Sequence, residues 1–261
     1  MIWVLFFIGL IYTTLILYLF IGFLKVKEFR EELEKPTIKF SVVIPFRNEE
    51  KHLPKLLESI LNLEYPKNLV EFLFVNDASS DNSVSSINTV LQKKETKNID
   101  FSIINNLRKS ESPKKDAITT AVSLAKNDWI ITTDADCLIP QKWLLSFNTF
   151  ILNKEPKMVV APVNYKVNTT FFQQFQLLDF MSLQGTTIGS FGVNFPFLCN
   201  GANLAYSKEF FYKVNGFDGN TSIASGDDIF LMQKFLSENK KNVHYLKSKN
   251  AIVNTFPVLS N

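Results

Sequence analysis

The sequence predicts an α/β protein with a mostly parallel central sheet, preceded by one N-terminal transmembrane helix. Short β-rich apolar runs alternate with helical patterns between residues 40 and 133, and this alternation is typical of βαβ units with right-handed crossovers. Residues 2–24 contain no charged side chain. Hydrophobic residues make up 46% of the chain and charged residues 20%, which favours a globular core over disorder.

The first apolar segment, IWVLFFIGLIYTTLILYLFIGFL, is long enough to cross a bilayer. As a helix it reaches about 34 Å, and a hydrocarbon core is ~30 Å thick. A cleaved signal peptide is disfavoured because no Lys or Arg precedes the run, the run is long, and no small-residue cleavage site follows. A buried core helix is the other alternative, although core helices of this length rarely lack charged side chains.

The flank of this segment predicts its orientation. Lys25, Lys27 and Arg30 follow the span directly, and no positively charged side chain precedes it. The positive-inside rule then predicts a single-pass protein of the cell membrane. Residues 1–24 would form the transmembrane helix, residues 25–39 a juxtamembrane linker or short helix, and the remaining chain a cytoplasmic domain.

After this flank, the predicted elements follow one another in βαβ order. Strands are predicted at residues 40–45, 71–75, 101–104, 129–133 and 158–162. Helices are predicted at residues 49–63, 82–94, 115–126, 171–183 and 228–237. The stretch GTTIGSFGVNFPF, residues 185–197, is predicted to be a loop because of its glycines, and a strand and a helix are expected between residues 200 and 212.

Polar clusters follow three of the predicted strands. They are Arg47-Asn48-Glu49, Asn76-Asp77 and Asp134-Ala135-Asp136. The carboxyl ends of parallel strands meet at one edge of a sheet, and ligands of such sheets bind beyond that edge. The sequence therefore predicts one polar site built from these three clusters.

The carboxylates of this edge suit two kinds of ligand. Asp134 and Asp136 can hold a hard cation such as Mg²⁺ or Mn²⁺, which prefers oxygen ligands, although such a pair can also simply cap the following helix. Asp77 ends a buried strand and needs hydrogen-bond donors, which a nucleobase imide or a ribose hydroxyl would supply. Asp81 is equally consistent with nucleotide contact and with the start of a helix. For Asp77 the alternative is a turn residue.

Two further groups carry charge near predicted helix starts. Lys114 and Lys115 open the helix before the Asp134 strand, so one of them can lie beside a pyrophosphate, or both can be solvated, as lysines usually are. Asp227 and Asp228 precede an apolar helix, where one carboxylate can cap the helix and the other can act as a base toward a hydroxyl. The alternative for this pair is capping alone.

Composition and motifs exclude several classes of function. The chain has 28 Lys and Arg against 25 Asp and Glu, a net charge of +3, which does not suggest nucleic-acid binding. The two cysteines, Cys137 and Cys199, show no zinc-ligand spacing and suit a reducing compartment. No Gly-x-x-x-x-Gly-Lys loop is present, so a P-loop kinase or ATPase is disfavoured.

Six short motifs occur in order between residues 40 and 235: SVVIPFRNEEKHL, VNDASSDNS, PKKDAITTA, TTDADC, CNGANLAYSKEFFYKVNGFD and SGDDIFL. In this order they resemble the inverting family-two glycosyltransferases, whose nucleotide-sugar-binding domain has the GT-A fold. The resemblance implies a GT-A domain over residues 40–261. Residues 40–140 would be its nucleotide-binding half and residues 141–261 its acceptor-side half.

The resemblance also implies residue roles. Asp136 would be the direct metal ligand with Asp134 beside it, and Asp228 would be the general base, next to Asp227. The expected nucleotide-binding residues are Pro45, Arg47, Asn48, Glu49, Asp77, Asp81, Lys114, Asp134 and Ala135. The expected acceptor-side residues are Asn200, Gly201, Ala202 and Asn203.

The activity that this resemblance implies is a metal-assisted, inverting transfer of a sugar from a nucleotide-sugar donor, a UDP- or GDP-sugar. The acceptor would be a hydroxyl of a lipid-linked, glycan or other membrane-proximal molecule in cell-envelope polysaccharide synthesis. Two departures stand out. Pro113 replaces the glycine before the motif lysine, and the Gln-x-x-Arg-Trp motif of membrane-embedded relatives does not occur before Asn261. Either the acceptor is handled differently or the sequence is part of a longer protein.

Other functions account for fewer of the motifs. A haloacid-type phosphatase also has an Asp-x-Asp after a strand, but it requires Thr or Val soon after the second Asp, where this chain has Cys137 and Leu138. A nucleotidyltransferase should have a Gly-rich loop after the first strand, and PFRNEE contains no glycine. The non-enzyme alternative is an inactive nucleotide- or lipid-binding subunit of a polysaccharide assembly complex.

Overall fold

The structure, a computed structural model, describes residues 1–257 except 31, 33, 93–98, 168–169, 222 and 224. The end of the helix predicted at 82–94 therefore lies outside the described residues. The helices are α1 (Ile2–Lys25), α2 (Leu53–Leu61), α3 (Ser83–Leu91), α4 (Pro113–Leu124), α5 (Trp143–Lys154), α6 (Phe171–Gly192), α7 (Lys208–Lys213) and α8 (Asp227–Glu238). The strands are β1 (Phe40–Phe46), β2 (Val70–Asn76), β3 (Asp100–Asn105), β4 (Trp129–Thr132), β5 (Met158–Val160), β6 (Val163–Tyr165), β7 (Leu204–Ser207), β8 (Val243–Tyr245) and β9 (Val253–Thr255).

Seven strands form one central sheet in the order β3-β2-β1-β4-β7-β5-β8. β1, β2, β3 and β4 pair in parallel, as do β5 and β8, whereas β7 runs antiparallel to both of its neighbours. The prediction of a mostly parallel sheet is confirmed. A separate parallel pair, β6 with β9, was not expected from the sequence, because each strand is only three residues long.

The sheet lies between two layers of helices. On β1, Val42 and Ile44 belong to one apolar core and Val43 to the other, because alternate strand residues point to opposite faces. Helices α2, α3 and α5 cover the first face, and α4 and α8 cover the second. Large side chains such as Trp143 and Phe235 are fully buried, and burying each stabilises the fold by roughly 1.5–3 kcal/mol or more.

The prediction of a loop at residues 185–197 is wrong over most of its length, because α6 continues to Gly192. Two of its glycines, Gly189 and Gly192, lie where α1 packs directly against α6. A methyl group added at Gly22 of α1 would overlap the carbonyl oxygen of Gly189, and one added at Gly192 would overlap that of Gly22. Close backbone contact through small residues is how transmembrane helices commonly pack, so these glycines serve helix contact and not a turn.

The N-terminal helix agrees with its predicted span. Among the residues that the structure describes, α1 is the one helix long and apolar enough to cross a membrane, and most of its side chains are exposed. The described residues between 26 and 39 form no helix. Lys247 donates to the carbonyl oxygens of Phe23 and Val26 at 3.3 and 3.0 Å, which ties the end of α1 to the domain.

Candidate active site

A pocket of about 470 Å³ lies at the carboxyl ends of β1, β2 and β4. The parallel register places Phe46 of β1 opposite Asn76 of β2, and Val43 opposite Thr132 of β4. The polar segments that follow these strands therefore meet at one edge. The pocket is lined by Pro45, Phe46, Arg47, Glu49, Asp77, Pro113, Lys114, Ala117, Asp134, Ala135 and Asp136.

Asp77 lies at the end of β2 with its carboxylate already well supplied with donors. Arg108 approaches it with two nitrogens, Nε to Oδ1 and Nη2 to Oδ2, both at 2.6 Å. Asn106 donates to Oδ1 at 2.7 Å. The Arg108 hydrogen bond is the main cause that lowers the pKa of Asp77, so this carboxylate is ionised at neutral pH. Arg47 Nη1 lies 3.9 Å from Asp77 Oδ2, so two arginines and Asn106 surround the carboxylate at the edge of the pocket.

Two predicted residues, Asn48 and Asp81, do not line this pocket but shape the loops around it. Asn48 has a left-handed backbone, with φ of 57°, and its Oδ1 accepts from Ser80 N–H at 2.8 Å. Asp81 accepts from Glu50 N–H at 3.1 Å and from Ser83 N–H at 3.0 Å at the start of α3. Both side chains join the loop after β1 to the loop after β2.

The Asp134-Ala135-Asp136 triplet follows β4, and its two carboxylates have different partners. Lys114 Nζ donates to Asp134 Oδ1 at 2.7 Å. Asp136 Oδ2 accepts from Thr255 Oγ1 of β9 at 2.9 Å. Asp134 is therefore paired with a cation, whereas Asp136 is bonded to a neutral hydroxyl. A metal ion could bind Asp136 without displacing a lysine.

The donor set of this triplet fits a divalent cation that takes its other ligands from phosphate and water. In the part of the chain that the structure describes, no group of three or more His, Cys, Asp or Glu side chains is placed to hold a metal ion. A site with one or two carboxylates plus substrate phosphates is the arrangement that Mg²⁺ uses in nucleotide enzymes, and Asp134 and Asp136 are the residues that could provide it.

Asp228 lies in the first turn of α8, where a tight contact with the 200–203 segment holds it. Its Oδ2 accepts from Gly201 N–H at 2.8 Å, and its Oδ1 accepts from Ile229 N–H at 2.8 Å. A Cβ on Gly201 would lie 3.4 Å from Asp227 Oδ2 and 3.8 Å from Asp228 Oδ2, so Gly201 lies in van der Waals range of both carboxylates. Burial, together with the Asp227 carboxylate, raises the pKa of Asp228.

The 200–203 segment connects the Asp228 carboxylate to β4, the strand that leads into Asp134 and Asp136. Thr132 Oγ1 of β4 donates to Gly201 O at 2.6 Å, so a short chain of hydrogen bonds runs from β4 through Gly201 to Asp228. Asn200 accepts from Ala202 N–H at 2.9 Å and caps the turn. Asn203 is fully buried and bonds Pro162 O, Ala251 O and the indole N–H of Trp143. The side chain of Asn203 therefore holds the segment in place from inside the protein.

Lys114 lies between the two groups of carboxylates. Burial opposes its charge, but the carboxylates of Asp134, Asp227 and Asp228 outweigh this effect and raise the pKa of Lys114. Its ammonium group therefore stays protonated and links the Asp-x-Asp triplet to the pair on α8. Asp227 and Asp228 do not line the 470 Å³ pocket but a small neighbouring cavity with Thr132 and Gly201. The hydrogen bonds from Thr132 through Gly201 to Asp228 place this cavity beside the end of β4.

Sequence reasoning missed several residues of this site. Arg108, Asn106 and Thr255 support Asp77 and Asp136 from loops or strands that carry no motif. The sequence offers Lys115 and Lys114 equally as the lysine beside a pyrophosphate. Lys115, however, is 1% exposed, and its Nζ donates to Asn220 O at 2.8 Å and to Ile223 O at 2.6 Å. Adjacent helical residues point in directions about 100° apart, so the helical prediction for this segment already indicates that the two lysines do not both face the pocket.

Comparison with known proteins agrees with the glycosyltransferase resemblance of the motifs. The chain matches the family described as Glycosyl transferase family 2 over residues 41–214. The probable glycosyltransferase YdaM of Bacillus subtilis is 26% identical over 199 residues, which cover 74% of this chain and 46% of that protein. The undecaprenyl-phosphate 4-deoxy-4-formamido-L-arabinose transferase of Proteus mirabilis is 36% identical over 104 residues, 39% of this chain and 30% of that protein. The chain thus spans less than half the length of these curated relatives.

Solved structures show the same fold at low sequence identity. S. aureus TarS 1-349 in complex with UDP-GlcNAc superposes with a TM-score of 0.62 at 17% identity, covering 86% of this chain and 60% of that chain. The mannosyltransferase PcManGT from Pyrobaculum calidifontis, in complex with GDP-Man and Mn²⁺, superposes with a TM-score of 0.65 at 15% identity, covering 93% and 64%. The domain therefore has the GT-A fold, as expected. Because the family match covers most of the domain after α1, we conclude that this chain belongs to glycosyl transferase family 2.

Proposed function

We propose that this chain transfers a sugar from a nucleoside-diphosphate sugar to a hydroxyl acceptor, with inversion at the anomeric carbon. The observation that carries the proposal is the link between two groups at the end of β4: Lys114 donates to Asp134 at 2.7 Å, and Thr132 is joined through Gly201 to Asp228. A displacement needs a stabilised leaving group and a base near each other, and this site has residues for both.

In the proposed reaction the acceptor oxygen attacks the anomeric carbon as the bond to the diphosphate breaks. A lone pair of the acceptor oxygen forms the new glycosidic bond, and the electron pair of the broken bond leaves with the diphosphate. Asp228 takes the proton of the attacking hydroxyl, and the O–H electron pair stays on the oxygen. Lys114 offsets the negative charge that develops on the leaving diphosphate. A divalent ion on Asp136 and Asp134 would add charge stabilisation for the same leaving group. The complexes of TarS with UDP-GlcNAc and of PcManGT with GDP-Man and Mn²⁺ support a nucleotide sugar and a metal.

The proposed setting is the cytoplasmic face of the cell membrane. α1 would span the bilayer once, and Lys25, Lys27 and Arg30 after it favour a cytoplasmic domain. An anchored active site works on acceptors held near the bilayer, so a lipid-linked or membrane-proximal glycan acceptor is proposed. The Proteus mirabilis relative, named as an undecaprenyl-phosphate transferase, supports a lipid-linked acceptor.

Nucleotide sugars should stabilise the purified chain only when Mn²⁺ or Mg²⁺ is present. At a ligand concentration of about 100 times Kd, binding adds about 2.7 kcal/mol to the free energy of unfolding, which is measurable as a rise in melting temperature. A panel of UDP- and GDP-sugars, each with and without metal, would identify the donor. The Asp136→Ala variant should lose the metal-dependent part of the shift, and Asp128→Ala, an exposed carboxylate before β4, should keep it. Absence of stabilisation by every nucleotide would contradict the proposal.

The rate of transfer should fall at acidic pH earlier than for an ordinary aspartate base. A base works only when ionised, and the pKa of Asp228 is raised by burial and by Asp227. The acid limb of the kcat/KM profile is therefore expected at a pH above ~3.9, the ordinary aspartate value. Asp227→Asn removes the neighbouring charge and should move this limb to lower pH. An unmoved limb would show that another group sets the profile.

A further inference from the structure

A second cavity, larger than the active-site pocket, lies between α1, α6 and the β6–β9 pair. Its volume is about 710 Å³, within the range of sites that hold a small organic ligand. Most of its walls are apolar, with Leu19 and Phe20 from α1, Met181 from α6, and Val163 and Ile252 from the domain. None of the predicted donor, metal or base residues lines it.

The cavity exists because α1 and α6 touch at one place and separate beside it. Gly22 and Gly189 are in backbone contact. Gly185, one turn earlier on α6, lines the cavity, and a Cβ added there would meet nothing within 4 Å. The open space is thus bounded on one side by the helix proposed to span the bilayer. Exposed apolar side chains of α6, including Phe175 and Leu178, extend this apolar surface.

One strand connects this cavity to the active site. Ile252 lines the cavity, β9 follows it, and Thr255 at the end of β9 bonds the Asp136 carboxylate at 2.9 Å. Three extended residues span about 10 Å. The cavity wall and the edge of the pocket therefore lie about three residues apart along β9, so an acceptor with its hydrocarbon tail in the cavity would have its polar head beside the pocket in which the sugar donor is proposed to bind.

We propose that this cavity holds the hydrocarbon chain of the lipid whose head group carries the accepting hydroxyl. The proposal rests on the proposed function and names the class of acceptor. A lipid chain fits better than a protein segment because Leu19 and Phe20 belong to the last third of α1, before Lys25, a depth at which the surrounding molecules are acyl chains. An apolar cavity at one end of β9 and a polar site at the other match an amphiphile.

Photo-crosslinking in lipid nanodiscs would test the cavity. The probe is a hexadecyl glycoside with a diazirine near the end of its alkyl chain, and adducts are mapped by mass spectrometry. We expect adducts at Phe20 and Met181. Gly185→Phe fills the cavity without a backbone clash and raises helix propensity, so it should fold. The added ring displaces more than two methylene groups, so cavity adducts should fall by at least about tenfold.

A matched control and a second measurement distinguish filling of the cavity from a general effect of an added phenylalanine. Gly9→Phe adds the same side chain on α1 outside the cavity, where a Cβ also meets nothing within 4 Å, and should leave the adducts unchanged. Transfer to the hexadecyl glycoside should fall in Gly185→Phe, whereas transfer to an ethyl glycoside and donor-induced thermal shifts should persist.

The outcomes separate this proposal from the proposed function. Adducts spread along α1 and insensitive to Gly185→Phe would overturn the lipid cavity, as would crosslinks between two copies of the chain through this surface. A wild-type chain that binds no nucleotide sugar would overturn the proposed function, while the adducts at Phe20 and Met181 would still decide whether the cavity holds a hydrocarbon chain.

Discussion

Replacing Asp228 with asparagine is expected to lower the rate of sugar transfer by about 10²- to 10⁴-fold, the usual contribution of a general base. Asparagine has nearly the same size and keeps an oxygen that can accept from Gly201 N–H or Ile229 N–H, the two donors that hold the carboxylate. It cannot accept the proton of the acceptor hydroxyl. Steady-state transfer from the donor identified by thermal shift is the measurement, and donor binding should persist because the pocket at β1, β2 and β4 is unchanged.

Asp128→Asn is the matched control for this variant. Asp128 is an exposed carboxylate before β4, so its replacement should leave transfer at the wild-type rate. If Asp228→Asn transferred sugar as fast as the wild type, Asp228 would be only a cap of α8. A chain that bound nucleotides but showed no turnover in any form would instead be an inactive subunit of a larger assembly.

The fold could be predicted where local patterns agree with the final packing. Buried apolar runs such as 71–75 and 129–133 are found in β2 and β4, because a strand buried on both faces has an almost continuous apolar sequence. Each of these strands pairs in parallel with β1, so the polar residues that follow them lie at one edge. Asp77 and Asp134 could therefore be assigned to one pocket without knowledge of any distance.

Elements and contacts that depend on distant partners could not be predicted in this way. The glycines of 185–197 have a loop-like composition, but two of them, Gly189 and Gly192, are helical and pack against Gly22, far away in the sequence. Arg108 belongs to no motif, and it reaches Asp77 because β3, which precedes it, lies beside β2 in the sheet. The buried state of Lys115 depends on carbonyl groups more than a hundred residues later. Sequence periodicity carries no information about such partners.

Replacing Lys115 with methionine is expected to lower transfer by about 10²-fold, the cost of misplacing a catalytic group by about 1 Å. Lys115 Nζ donates to Asn220 O, Ile223 O and Ser225 O at 2.8, 2.6 and 3.4 Å. These carbonyls belong to the segment that leads into Asp227 and Asp228. Methionine fills a similar volume, but it leaves the three carbonyl groups without the donor that holds them together, so the segment before Asp227 should lose its fixed position.

The position of Lys115 separates a positioning role from simple stabilisation. It lies behind the pocket, whereas Lys114 faces it, so Lys115→Met should lower kcat while donor affinity, measured by the metal-dependent thermal shift, changes little. Lys109→Met, an exposed lysine before the same helix, should change neither quantity. A variant that melts at a lower temperature but transfers at the wild-type rate below its melting point would show that the carbonyl contacts of Lys115 stabilise the domain without placing Asp228.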